Sequence, residues 1–595
     1  MFSSIKYSYT KMILPLLFLI LLLNRCSVHQ LKVDDRTKAA MDKVDTADIR
    51  AHIRYLADDK LKGRLPGTEG YQMAVDYVIR QFSDIGLQPA GDNGSYIQKL
   101  IIRKSTLNNQ SVQAAFTGAR GSTDSLVFGK DFIVQPHPLI TQQEVTAGIA
   151  FAGYGIDAPA MKWNDYAMRD VKGKIVIVLR GAPEGLPSAL SAHFANVSTK
   201  ASTALAHGAV GLLMVSAVQF SPDTASSVFS NNMALTPDKN DVLNQVFGGK
   251  DMKVMGWITP AALRQFFLRS GENMNIALEN LKERKKGFAD VTGTLKIKFT
   301  TRHTDIESYN VAALIPGSDP ILKNEYVVHT AHLDHLGVDK AVNGDSIYNG
   351  AHDNASGVAC LLEIGRIYKT AKLAPKRSVL LAAVTGEEMG LLGSAYLAAY
   401  PTVPKKSIVA NVNTDMPTVI APLLSIVPLG AEHSSLIRDV QFATAYLGID
   451  IEKDPEPEQN RFVRSDQYSF VKQGIPALHI KYGNKMKTKG ASLTSLVQSW
   501  RSTYYHKPTD DINGVFDFMA AKKYVQLNFL IGYSIAQNKE KPRWNAGDVF
   551  NKTVAQKNVA ASNALAALFD TKSKVLILSA ALLVISLFCL SKRYY

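Results

Sequence analysis

Three short apolar runs, EYVVHTA (325–331), SVLLAAVT (378–385) and SIVANVN (407–413), each lead into a side chain able to bind a cation. Runs of this length, rich in Val, Leu, Ile and Ala, read as strands buried on both faces. His332 follows the first, Glu387 and Glu388 the second, and Asp415 the third. Carboxylates at the ends of buried strands are costly unless something positive meets them. In open α/β sheets the crevice outside the carboxyl ends of neighbouring strands is where ligands bind. The pattern therefore constrains the chain to an α/β fold with a site at its strand ends.

Two further motifs join these. Asp353 lies in GAHDNASG (350–357), and the residues after it place Val358, Leu361, Leu362 and Ile367 at helical spacing, so Asp353 is expected at a turn just before a helix N-terminus. His506 lies in YYHKPTDD (504–511). Zinc takes imidazole and carboxylate ligands, and a catalytic site keeps a position for water. Two histidines and three carboxylates, namely His332, Asp353, Glu388, Asp415 and His506, suit a pair of zinc ions, and the spare carboxylate, Glu387, suits a general base. His352 is expected beside the site and not in it. His303, His329, His335 and the remaining histidines have no ligand spacing and are expected to be structural.

With these motifs in hand, the chain resembles the co-catalytic zinc aminopeptidases of metallopeptidase family 28, which includes aminopeptidase S, aminopeptidase Y and glutamate carboxypeptidase. The resemblance covers roughly residues 46–545. It implies an α/β fold with a mixed central sheet flanked by helices. It also implies an inserted, mainly-β protease-associated domain. Asp353 is then the carboxylate shared by two zinc ions, with His332 and Asp415 completing one site and Glu388 and His506 the other. The resemblance makes Glu387 the base that activates a metal-bridged water, Asp334 a carboxylate that orients His332, and Tyr505 a hydroxyl that stabilises the oxyanion. It implies a cis bond between Asp353 and Asn354. Ser465, Asp466 and Gln467 match a segment lining the pocket and carry no assigned role. Where the family often has another acidic residue, this chain has His352.

The implied activity is that of an exported aminopeptidase acting on peptides. A glutamate-type carboxypeptidase or dipeptidase is the alternative on the same fold. It needs a cationic cluster for substrate carboxylates, for which Arg461, Arg464 and Arg501 are available. A catalytically inactive receptor of the transferrin-receptor type is the alternative outside enzymes, and such proteins lose ligands that are intact here. Glutaminyl cyclase relatives work with one zinc, which the full ligand set disfavours.

Length and ends divide the chain. At 595 residues it exceeds one ordinary core. The expected division is a signal peptide or lipoprotein signal over 1–26, a peptidase domain over 46–143 and 289–545, a protease-associated insert over 144–288, a stalk over 546–574 and a transmembrane segment over 575–590. MILPLLFLILLL after Lys6 and Lys11 has signal-peptide length, and Cys26 follows in LLNRCS, with Arg25 a poor fit to a lipoprotein cleavage site. VLILSAALLVISLFCL, flanked by Lys572, Lys574, Lys592 and Arg593, is short for a span, and snorkelling lysines can cover the mismatch. Only three cysteines, Cys26, Cys360 and Cys589, are present, and no internal disulfide is expected. These features point to the bacterial envelope.

The net charge of +15 raises the possibility of nucleic acid, yet the basic residues are dispersed and no helix-turn-helix pattern or zinc-finger spacing occurs. An anionic membrane surface or acidic envelope polymer is a sufficient partner for that charge.

Overall fold

The computed structural model describes residues 33–551, apart from residues 168, 218, 221–229, 238–241, 245, 284–290, 418 and 489. The N-terminal apolar segment with Cys26, nearly all of the expected stalk, and the 575–590 run lie outside the described residues. Among the described residues no helix is long and apolar enough to cross a membrane.

After a short helix over Asp35–Asp42 come helices α1 (Thr46–Leu56) and α2 (Glu69–Ile85). Each start is capped by a side chain: Asp45 accepts from the amide of Ala47, and Thr68 from that of Tyr71. The long strand β1 (Ile97–Gly118) follows. Next comes a unit of four strands, β2 (Gln142–Phe151), β3 (Ile175–Leu179), β4 (Gly211–Val215) and β5 (Val254–Ile258). Helices α3 (Ser188–Ala195), α4 (Val197–Ala206) and α5 (Pro260–Arg269) belong to it. A second long strand, β6 (Gly293–Ile315), returns the chain to the apolar runs, which fold as β7 (Tyr326–His332), β8 (Ser378–Val384) and β9 (Ile408–Asn413). Helix α6 (Ser356–Thr370) lies between β7 and β8. The remainder comprises β10 (Ser425–Leu429), α7 (Leu436–Leu447), β11 (Ala477–Tyr482), α8 (Leu493–Thr503) and α9 (Phe518–Gln537).

The strands join in the order β10, β11, β9, β7, β8, β6, β2, β3, β4, β5. β7 runs parallel to β8 and β9, and β9 runs parallel to β11, so four carboxyl ends share one edge. β6 is antiparallel to β8 and β10 is antiparallel to β11, which makes the sheet mixed. Every residue of β8 and β9 is buried; β8 accordingly reads as an unbroken apolar run, and the two buried asparagines of β9 are hydrogen-bonded, Asn411 to Thr330 and Asn413 to Ser465. On one face α6 and α9 pack with α1 and α2 around Val327, Ala331, Leu381 and Val412. On the other, Val328, Leu380, Val384 and Ile408 pack with Phe470, Trp544 and two alanines of α3.

The 142–282 region has its own core, formed by β2–β5 with α4 and α5. Its strands are parallel to one another, and the antiparallel segment Phe132–Val134 closes its edge. β6 ties this unit to the rest: Thr294–Thr300 pair with β2, Gly293–Lys298 and Thr300–Val311 pair with β1, and Val311–Ile315 pair with β8.

Candidate metal centre

The parallel strands deliver their ligating side chains to one place. Nε2 of His332, the last residue of β7, lies 3.3 Å from Oδ1 of Asp353 and 3.5 Å from Oδ1 of Asp415. The other oxygen of Asp353 is 3.2 Å from Nε2 of His506, which is itself 3.3 Å from Oε2 of Glu388. Asp353 thus stands between two histidine–carboxylate pairs. It enters from the turn before α6, where its peptide bond to Asn354 is cis. The Asn354 side chain donates to Thr414 O and accepts from the amides of Gly357 and Met416, tying this turn to the loop that bears Asp415.

Burial and charge oppose each other throughout the cluster. Burial alone pulls both histidines down, but the facing carboxylates more than offset it, holding His332 well above its ordinary range and His506 at about 10. Asp353 and Asp415 are kept ionised despite burial, the first by His332 and His506, the second by Lys481 and His332. Glu387 behaves oppositely: burial, reinforced by Glu388 and Asp415, pushes its carboxyl well above the carboxylate range despite the pull of His332. The two adjacent glutamates are therefore pushed in opposite directions by their surroundings, Glu387 up and Glu388 down.

The neighbours of the cluster differ in part from the sequence expectation. Asp334 does not orient His332 through its carboxylate, which lies 3.9 Å from Nδ1; that nitrogen donates instead to the Asp334 carbonyl oxygen at 3.2 Å. The carboxylate turns to the next strand, accepting the amides of Glu387 at 3.1 Å and Glu388 at 3.3 Å. Asp334 therefore positions both the imidazole and the glutamate pair, by different atoms. Tyr505 stacks on His506 with centroids 3.9 Å apart, and its hydroxyl accepts from Arg464 at 3.4 Å.

Several residues gain significance only in three dimensions. His335, expected to be structural, is fully buried and its Nδ1 lies 2.8 Å from Oε1 of Glu388, so Glu388 sits between two imidazoles. A signal was available, since His335 lies in the same AHLDHLG stretch as His332. Asp510 accepts the amides of His352 and Asp353 and pairs with Nδ1 of His352 at 3.0 Å. Arg64 is buried and donates to the carbonyls of Leu333, Asn349 and Gly350, clamping the loops that carry His332 and Asp353 together. Lys481 on β11 donates to the Asp415 carbonyl at 2.8 Å. Asp466 is fully buried nearby, and burial lifts its carboxyl to about 7.

The donor set fits divalent metal. Nε2 of His332 and Nε2 of His506 are buried and face carboxylate oxygens at 3.2–3.5 Å without hydrogen-bond geometry, as expected of atoms arranged around a cation and not for one another. His332, Asp353 and Asp415 offer one set of ligand atoms within 4.8 Å of each other, and His335, Asp353 and Glu388 offer a second. Asp353 belongs to both.

Residues 310–527, which contain every one of these groups except Arg64, match the family described as Peptidase family M28. The chain carries an M28 domain. A probable zinc metalloprotease of Pyrenophora teres f. teres is 38% identical over 125 residues, 20% of this chain and 25% of that protein. Leupeptin-inactivating enzyme 1 of Streptomyces exfoliatus is 27% identical over 242 residues, 39% of this chain and 50% of that protein. The alignments thus span a quarter to a half of these curated relatives. Among solved structures, an aminopeptidase from Aneurinibacillus sp. strain AM-1 covers 86% of this chain and 100% of its own, at 18% identity and a TM-score of 0.45. A zinc aminopeptidase from Bacillus subtilis covers 85% of this chain and 97% of its own, at 17% identity and a TM-score of 0.39.

Proposed function

We propose that the chain is a zinc-dependent exopeptidase that removes N-terminal residues from peptides, with two zinc ions held by His332, Asp353, Asp415, Glu388 and His506. The observation that carries this reading is the shared carboxylate: Asp353 places one oxygen at His332 and the other at His506. Bound there, zinc supplies a Lewis acid for the scissile carbonyl and lowers the pKa of water. The chain's own residues do the rest. Glu387, as the carboxylate, takes a proton from the attacking water and returns it to the leaving amine, and burial raises its affinity for that proton. Tyr505 offers its hydroxyl to the oxyanion. Asp334 keeps the backbone of both glutamates in place.

Export to a bacterial envelope, membrane attachment through 575–590 or a lipidated Cys26, and a protease-associated identity for 144–288 belong to the same reading. Carboxypeptidase polarity is the second reading, and Lys481 and Arg501, on the wall of a cavity beside the cluster, favour it.

Zinc measured by mass spectrometry on purified protein, combined with peptide hydrolysis, tests the proposal. About two zinc ions per chain are expected, with turnover lost on acetylating the substrate's α-amine and little changed on amidating its C-terminus. Full activity with one tightly bound metal removes the paired-zinc reading, and the reverse dependence on the two peptide ends establishes the carboxypeptidase.

A further inference from the structure

Two imidazoles face Glu388, and they meet it differently. Nε2 of His506 lies 3.3 Å from Oε2 of Glu388 and 3.2 Å from Oδ2 of Asp353, with hydrogen-bond geometry to neither. Nδ1 of His335 lies 2.8 Å from Oε1 of Glu388 and is hydrogen-bonded to it. Ligand atoms held about 2.0–2.1 Å from a tetrahedral zinc stand about 3.4 Å from one another. The His506 distances match that spacing, whereas the His335 distance is too short for two ligands of one ion and is the length of a charge-assisted N–H···O bond. One imidazole is thus placed as a ligand, and the other as a donor to a ligand.

His335 is built into this position. Its side chain is fully buried, and its amide donates to the carbonyl of Arg64 at 3.2 Å. A Cβ on Gly350 would fall 2.5 Å from Cδ2 of the ring, and Gly350 has a φ of +61°, so the imidazole lies against bare backbone of the turn that bears Asp353. The His506 ring crosses it edge-on, with centroids 5.8 Å apart. AHLDHLG therefore serves both halves of the cluster: His332 faces Asp353 and Asp415, and His335, in the same loop, grips the carboxylate that faces His506.

We propose that His335 is a positioning residue whose Nδ1–H holds Oε1 of Glu388 and leaves Oε2 as the single oxygen offered to the second metal. A carboxylate with both oxygens free can occupy two positions on a cation, and a catalytic zinc needs one position kept open. Holding one oxygen by a hydrogen bond prevents the carboxylate from filling that position. This rests on the zinc-peptidase reading and concerns how its second metal is held. Nε2 of His335 is buried without a partner, so ligation through that nitrogen is the competing outcome.

The test loads the full-length protein, its histidines isotopically labelled, with a spin-active cadmium isotope in place of zinc. Nitrogen–cadmium coupling is expected at His332 and His506 and not at His335, whose Nδ1 keeps its proton. Coupling at either nitrogen of His335 makes it a ligand and overturns the proposal. His335→Asn and His335→Leu, similar in size but differing in a donor near the Nδ1 position, then test the hold on Glu388. The Leu variant is expected to bind one of its two metals about 10–100-fold more weakly in chelator competition. Its cobalt-loaded form is expected to absorb less visible light per ion, the mark of a raised coordination number, and the Asn variant to retain much of both properties. Equal affinities and equal spectra in the two variants also overturn the proposal. A stability loss shared by both reports packing alone, and the cadmium measurement on the parent protein then decides. If the parent takes up no metal, this inference falls with the zinc reading. If it takes up metal with the expected couplings but cleaves no peptide, the peptidase reading alone fails.

Discussion

A Cβ built on Gly532 falls 2.0 Å from Nε2 of His329. Gly532 sits in α9, and His329 is fully buried in the middle of β7, so helix backbone rests almost directly on the imidazole. Gly532→Ala gains about 1 kcal/mol of helix propensity. Overpacking at a rigid contact costs about 1–3 kcal/mol, and two atoms at this separation put the cost at the upper end. A lower Tm is expected, with partial rescue when His329→Ala is added. Gly532→Ala with unchanged Tm would show that α9 shifts freely over the sheet.

His329 also makes the fold acid-sensitive. Burial pulls its pKa from 6.5 to about 4, and neither ring nitrogen has a hydrogen-bond partner. The folded value is the lower one, so between these limits the unfolded chain binds the extra proton. This stability is full above about pH 6.5 and is lost as pH falls towards 4. It amounts to about 3 kcal/mol. Denaturant midpoints are expected to drop across that window, and a neutral replacement such as His329→Gln is expected to flatten the slope. An unchanged slope in that variant means His329 is not the titrating group.

Glu387→Gln is expected to keep the metal and lose at least about 100-fold in turnover, because a proton acceptor is removed while the ligands are untouched. Glu388→Gln is expected to weaken metal binding first, since Glu388 meets both His506 and His335. Zinc content and hydrolysis measured on both variants check the assignment. Zinc lost only from the Glu387 variant means that the two roles are exchanged.

Asp510 touches no expected metal position, yet it accepts the amide of Asp353 at 3.1 Å. Asp510→Ala leaves the amides of His352 and Asp353 and a ring nitrogen buried without their acceptor, costing about 1–3 kcal/mol per group if unsolvated. Zinc affinity is expected to fall about 10–100-fold, the usual scale for groups that orient ligands. Competition with a chelator of known affinity gives the number, and parental affinity removes Asp510 from the site's support.

The strands and the candidate ligands that end them were legible in the sequence for one reason. Strands buried on both faces are written as unbroken apolar runs, and the residues that end them, His332, Glu387, Glu388 and Asp415, stand out against that background. The supporting contacts were not legible, because they depend on how loops fold back. Asp334 reads as a partner for the histidine two positions away, but its carboxylate serves amides more than fifty residues on. Arg64 clamps loops nearly 270 and 290 residues distant in sequence. Lys481 is one cation in an alternating strand, and only the β9–β11 pairing brings it to Asp415.

β6 is the feature with the widest reach. One uninterrupted strand is bonded at its far end to β8, whose next turn holds Glu387, and at its near end to β2 of the 142–282 unit. Hydrogen bonding along this one strand therefore joins the unit to the strand that precedes Glu387, with a register shift against β1 between Lys298 and Thr300.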